Sequence, residues 1–158
     1  MNINYRPEID GLRGIAVLAV IIFHADLGFL KGGFLGVDIF FVISGYLITS
    51  IILKQIETKS FSLLYFYERR VRRILPALFI VTILCIPFAY YFFLPENLIL
   101  FNKNILSSFT FWSNIYLWLE SSDYFSLSSD FNPLMHTWSL SIEEQFYILF
   151  PIFNIIFF

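Results

Sequence analysis

Between residues 34 and 53 the chain carries a single charged residue, Asp38, and between residues 75 and 94 it carries none. Apolar runs of about 20 residues are the length an α-helix needs to cross the roughly 30 Å hydrocarbon layer of a membrane. In hydrocarbon every backbone N–H and C=O has to find its partner inside the protein, so runs of this kind become helices. The composition points the same way. The 158 residues are 58% hydrophobic, 21% aromatic and 14% charged, whereas a soluble domain carries about 25% charged residues. Twenty-one phenylalanines and nine tyrosines exceed what a soluble core of this length would hide, and the excess needs lipid.

The expected fold is therefore all-α, a polytopic transmembrane helix bundle with four to five spans. The spans are expected at 11–30, 34–53 and 75–94, with a last one that starts near Trp138 and is still apolar at Phe158. Pro76 suits the first turn of the third span, where its missing donor is orphaned anyway, and a kink is expected at Pro87. The stretch 98–119 is apolar enough to span, but Asn102, Lys103, Asn104, Ser107, Ser108 and Asn114 interrupt it. It fits either an interfacial segment or one whose polar side chains face other helices. A Ser/Asp-rich loop occupies 120–135. The lone Cys85 allows no disulfide within the chain, no secretory cleavage pattern follows the first span, and no basic tail suggests a nucleic-acid partner. Arginines set the orientation. Arg6 and Arg13 precede span one and Arg69, Arg70, Arg72 and Arg73 follow span two, so both groups, and the N-terminus, are expected on the cytoplasmic side.

Four groups of residues carry possible chemistry. His24 lies in the apolar run of the first span, where an ionisable side chain is expensive and marks a candidate site; its imidazole titrates near neutral pH. Arg13 is eleven residues earlier, close to three helical turns, so both share a face about 16 Å apart. If spans one and two fold back about residue 31, Asp38 comes level with His24 and would fix its tautomer. Arg69, Arg72 and Arg73 fall at i, i+3 and i+4, so three guanidinium forks share a face suited to phosphate oxygens. Ser141 and Glu144 have the spacing of a capping box, which leaves Trp138, His136, Glu143 and Gln145 unexplained; two adjacent acids at a membrane boundary suit a hydroxylic substrate or a base. Each group also has a purely structural explanation: an imidazole bonded to a carbonyl, arginines snorkelling to headgroups, an interfacial Asp38, and Gly33, Gly36 and Gly45 for helix packing.

Taken together, five segments resemble the acyltransferase-3 family. They are Tyr5 to Leu18 with Arg13, Phe23-His24-Ala25, Gly33 to Thr49 with Asp38, Phe66 to Pro76 with the arginines, and Pro133 to Tyr147. The likeness is greatest to bacterial O-acetyltransferases that modify O-antigen and similar glycans. It implies a membrane enzyme that takes acetyl from acetyl-CoA in the cytoplasm and delivers it to a sugar hydroxyl of a lipid-linked or cell-surface glycan such as O-antigen, lipopolysaccharide or exopolysaccharide. His24 is then the catalytic residue, assisted by Glu143; that Asp38 orients it is inferred from the hairpin geometry and not from the resemblance. Arg13, Arg69, Arg70, Arg72 and Arg73 bind acetyl-CoA, and Trp138, Glu144 and Gln145 serve the acceptor; no metal is expected. The family's bundle is larger than 158 residues hold, so residues 1–158 are expected to be the N-terminal part of the membrane domain, in a bacterial cytoplasmic membrane. The competing expectations are a non-enzymatic subunit or transporter relaying protons through His24 and Asp38, or an inactive remnant.

Overall fold

The structure is a computed structural model that describes residues 6–26, 30–120 and 132–157. Among the described residues there are six α-helices: α1 Pro7–His24, α2 Gly36–Glu57, α3 Leu63–Phe92, α4 Pro95–Phe109, α5 Ser113–Glu120 and α6 Thr137–Phe157. A 3-10 turn, Gly33–Leu35, leads into α2. The helices fall into two compact units, one drawn from Met1–Phe61 with Phe153–Phe158 and the other from Ser62–Ile152. The expected all-α architecture is what the chain forms. Of the Ser/Asp-rich loop expected at 120–135, residues 121–131 lie outside the described residues.

In the first unit, α1 begins earlier and ends earlier than the expected 11–30. Pro7 takes the first helical position and Glu8 and Asp10 sit in the first turn, where a preset φ and negative charge suit a helix N-terminus. The helix stops at His24 because Asp26 turns to φ 50, a left-handed conformation that aspartate tolerates better than most residues. His24 is thus the last residue of α1 and not its middle. Two glycines then set the packing of α1 on α2. A Cβ built on Gly33 would stand 2.3 Å from the Ala19 carbonyl oxygen, and one on Gly36 would stand 2.3 Å from that of Ala16. Only residues without a side chain let the backbones approach this closely.

The second unit is built on α3, 30 residues long. Its start is fixed by Ser62, whose Oγ accepts a 3.4 Å hydrogen bond from the Tyr65 N–H, a serine N-cap. The arginine run therefore belongs to α3 itself. Pro76, expected to open a helix, lies inside this one with Pro87. Its missing N–H deprives only the Arg72 carbonyl of a partner, at an exposed, charged stretch of the helix. Ala89, Phe101 and Leu134 form a buried apolar cluster that ties α3 to α4 and to the turn before α6.

The segment 98–119 is not one helix. It breaks at Phe111, φ 53, into α4 of 15 residues and α5 of 8, about 22 Å and 12 Å long, each too short to cross a membrane alone. Among the described residues two stretches are long and apolar enough to cross, Gly33–Glu57 and Leu63–Phe92. Less than a quarter of either apolar window is buried, so most of their apolar surface is left for lipid or further helices. Gly36→Ala is expected to destabilise the detergent-purified protein by about 1–3 kcal/mol, the usual effect of overpacking. Gly45→Ala, where a Cβ meets nothing within 4 Å, is expected to stabilise it by up to about 1 kcal/mol through helix propensity. Thermal unfolding of the two variants checks both signs.

Candidate active site

In the first unit, α1 supplies Arg13 and His24. His24 is exposed at the helix end, and its Nδ1 lies 2.8 Å from the Val20 carbonyl oxygen one turn back. A carbonyl only accepts, so Nδ1 donates its hydrogen there and Nε2 becomes the basic nitrogen of the neutral ring. Arg13 packs its guanidinium 4.9 Å from the Phe40 ring centroid and 4.0 Å from Asp10 Oδ1. Its Nε is buried with no hydrogen-bond partner among the described residues. Arg6 donates through Nη1 to the Tyr46 hydroxyl at 3.1 Å and through Nε to Glu8 Oε1 at 2.7 Å. That bond holds the Glu8 carboxyl below its ordinary value.

These contacts fix the register of α1 against α2. Gly33 meets Ala19 and Phe23, Gly36 meets Ala16 and Val20, Phe40 meets Arg13 and Tyr46 meets Arg6. Asp38 accordingly lies level with Ala16, about two helical turns or roughly 12 Å from the level of His24. The expected pairing of His24 with Asp38 is not formed by this register. Its premise was a fold-back centred on residue 31, but the chain turns at Asp26 and residues 33–35 already run back along α1. The orienting contact on His24 comes from its own helix, and a His24/Asp38 proton relay loses its pair.

In the second unit, α3 and α6 bring together an arginine, a tyrosine and two glutamates. The Arg70 guanidinium stands 4.6 Å from the Tyr147 ring centroid and 5.4 Å from that of Phe66. The Tyr147 hydroxyl donates to Glu143 Oε1. Glu144 is 5% exposed, and its Oε1 is buried with no hydrogen-bond partner among the described residues. Arg70 and Arg73 are within electrostatic reach of Glu144, and Arg70 of Glu143 as well. The Tyr67 hydroxyl donates to the Ile148 carbonyl at 2.8 Å, a second tie between α3 and α6. The other arginines are different. Arg69, Arg72 and Arg73 are exposed, with Arg69 over the Tyr65 ring at 4.6 Å and Arg72 paired to Glu68 at 2.7 Å. The four arginines thus divide, three on an open face and Arg70 turned to α6.

The capping box expected of Ser141 and Glu144 does not form, because α6 starts at Thr137 and both residues lie inside it. Ser141 instead bonds the Ser113 hydroxyl at 2.7 Å and accepts from the Ser113 N–H at 3.2 Å. Around this contact the Ser108 and Thr137 hydroxyls lie 2.8 Å apart, Thr137 donates to Ser113 at 3.1 Å, and Asn104 donates to Asn132 at 3.0 Å. Of the polar residues that interrupt 98–119, Asn104, Ser108 and Asn114 face α6 and the turn before it, Ser107 is buried and bonds back to Asn104 in its own helix, and Asn102 and Lys103 are exposed; Lys103 lies 3.7 Å from Glu120. Sequence reasoning missed Tyr147 and Ser113; the spacing of Tyr147 four residues after Glu143 was the available signal. Trp138, the second residue of α6, is half-buried. Gln145 makes three amide hydrogen bonds, to Asn114 and Phe111. Among the described residues no group of three His, Cys, Asp or Glu side chains is arranged to hold a metal.

Residues 6–158 match the acyltransferase-3 family, described as an acyltransferase domain. The chain is 44% identical over 154 residues to the peptidoglycan O-acetyltransferase OatA of Listeria monocytogenes, covering 97% of this chain and 25% of that protein. It is 43% identical over 149 residues to the O-acetyltransferase OatA of Staphylococcus aureus, covering 94% and 24%. The chain thus spans about a quarter of the length of these relatives. No solved structure matches it.

Removing Arg70 takes a half-buried cation off the Tyr147 and Phe66 rings. Arg70→Ala is expected to destabilise the protein by about 2 kcal/mol, the worth of a desolvated cation–π contact. Arg72→Ala breaks an exposed i,i+4 pair and is expected to change stability by less than about 1 kcal/mol. Thermal unfolding in detergent distinguishes the two.

Proposed function

The chain belongs to the acyltransferase-3 family, and on that premise we propose that it transfers an acyl group, acetyl in the first instance, from acyl-CoA to a hydroxyl of a cell-surface carbohydrate. The observation that carries the proposal is the family match over 6–158, joined to a histidine whose Nδ1 is held by the Val20 carbonyl. His24 acts as the general base through Nε2. It takes the proton of the sugar hydroxyl as the oxygen attacks the thioester carbonyl. The carbon–sulfur bond breaks, and the proton on Nε2 passes to the departing thiolate, so the products are the sugar ester and free CoA.

Arg69, Arg72 and Arg73 are assigned the phosphates of the donor, because guanidinium forks on one open face suit bidentate phosphate contacts. The Glu68 carboxylate on Arg72 gives way to the donor. Arg13, with an unmet buried Nε, is assigned to the donor as well. Glu143, Glu144 and Trp138 are assigned to the acceptor. Asp38, level with Ala16, is left out of the orienting role. The Listeria relative is named for peptidoglycan, so the proposed acceptor is a cell-wall glycan in preference to an O-antigen. The proposed location is the cytoplasmic membrane, with the N-terminus and the arginine face on the cytoplasmic side where acyl-CoA is found.

Membranes carrying the protein, given labelled acetyl-CoA and glycan, are expected to accumulate base-labile acetate on the glycan. His24→Ala is expected to lose at least about 100-fold, the lower end of general-base contributions. Arg72→Ala is expected to raise the KM for acetyl-CoA about tenfold, the loss of roughly one charge-assisted contact, and to leave the acceptor KM unchanged. Wild-type rates from His24→Ala would overturn the mechanism, and an unchanged donor KM in Arg72→Ala would remove its phosphate role.

A further inference from the structure

Gln145 follows Glu143 and Glu144 directly in α6, and as a polar side chain it looks like a third contact for the acceptor. Its hydrogen bonds say otherwise. Gln145 Nε2 donates to the Phe111 carbonyl at 2.8 Å and to Asn114 Oδ1 at 2.9 Å. Its Oε1 accepts from Asn114 Nδ2 at 3.2 Å. A glutamine amide has two donors, and both are in use.

The partners are as informative as the count. Phe111 is the residue at φ 53 where α4 breaks from α5, and Asn114 is the second residue of α5. One turn before Gln145, Ser141 bonds both the hydroxyl and the N–H of Ser113, the first residue of α5. Positions 141 and 145 therefore lie on one side of α6, and both are bonded to α5. Positions 143 and 147 lie about 200° round the helix from them, at 3.6 residues per turn. Tyr147 on that other side stacks against Arg70 of α3 and donates to Glu143.

We propose that Gln145 is a positioning residue, and that its reciprocal amide pair with Asn114 fixes the rotation of α6 so that Glu143 and Tyr147 meet Arg70. The pair closes on itself and needs both amides, and Gln145 has its bond to the Phe111 carbonyl in addition. The inference rests on the reading of Glu143 and Glu144 as acceptor-side groups, and it removes Gln145 from the substrate contacts.

The test is a double-mutant cycle with an exchange, read in membranes for acetyl transfer and in detergent for thermal unfolding. Gln145→Ala and Asn114→Ala are each expected to lower kcat at least about tenfold, since small misplacements of reacting groups cost that much or more, and to shift the acceptor KM in the same direction as each other. The double variant should be no worse than Gln145→Ala alone, because residues in one contact are coupled. The exchange Asn114→Gln with Gln145→Asn should recover most of the rate. A raised acceptor KM in Gln145→Ala with wild-type behaviour in Asn114→Ala would overturn the proposal and return Gln145 to the substrate. Should the wild-type protein transfer no acetyl, the functional reading fails by itself. The unfolding cycle then decides the pair: losses in Tm that do not add support it, and additive losses overturn it.

Discussion

Two serine hydroxyls, Ser113 and Ser141, meet 2.7 Å apart at a site that is 0–1% exposed, and the second unit is organised around that contact. Polar groups buried in an apolar protein have to be paired with one another, and between helices in a membrane such pairs replace the hydrophobic effect as a source of specificity. Here the requirement determines where α5 begins, because the Ser113 N–H at its start is satisfied by a side chain from α6. It also sets the face that α6 turns to α5, through Ser141 and Gln145. The opposite face, with Glu143 and Tyr147, is then the one presented to Arg70. A local need for hydrogen-bond partners thus positions the carboxylates.

The first unit depends on steric fit. With backbone oxygens 2.3 Å from where a Cβ would stand on Gly33 and Gly36, α1 and α2 are locked in one register. That register puts Asp38 at the level of Ala16, away from His24, whose Nδ1 is held by the Val20 carbonyl of its own helix. Arg13, sharing the face of His24 along one continuous helix, is held against Phe40.

Much of this was legible from residues. The long apolar runs announced α2 and α3, the interrupted run left open whether its polar side chains turn to other helices or to the interface, and the motif residues pointed to the family. What was not legible depends on partners distant in the chain. Ser141 has the spacing of a cap for its own helix, and only folding shows that it serves the start of another. Pro76 looks like a helix start because the cap that overrides it, Ser62, lies fourteen residues earlier. The register of α1 on α2 follows from where the connection reverses, and the left-handed Asp26 is not distinguishable in sequence from any other aspartate. Four arginines read as one cluster, yet Arg70 alone has the ring of Tyr147 to stack on.

The central claim is that the chain, a member of a family of acyltransferases, serves acetyl transfer to the cell-wall glycan. Its most direct measurement is the base-labile acetate content of glycan purified from cells that make the protein, compared with cells in which its gene is deleted and then restored. The account predicts that acetate falls on deletion and returns on restoration. Equal acetate in all three would contradict it.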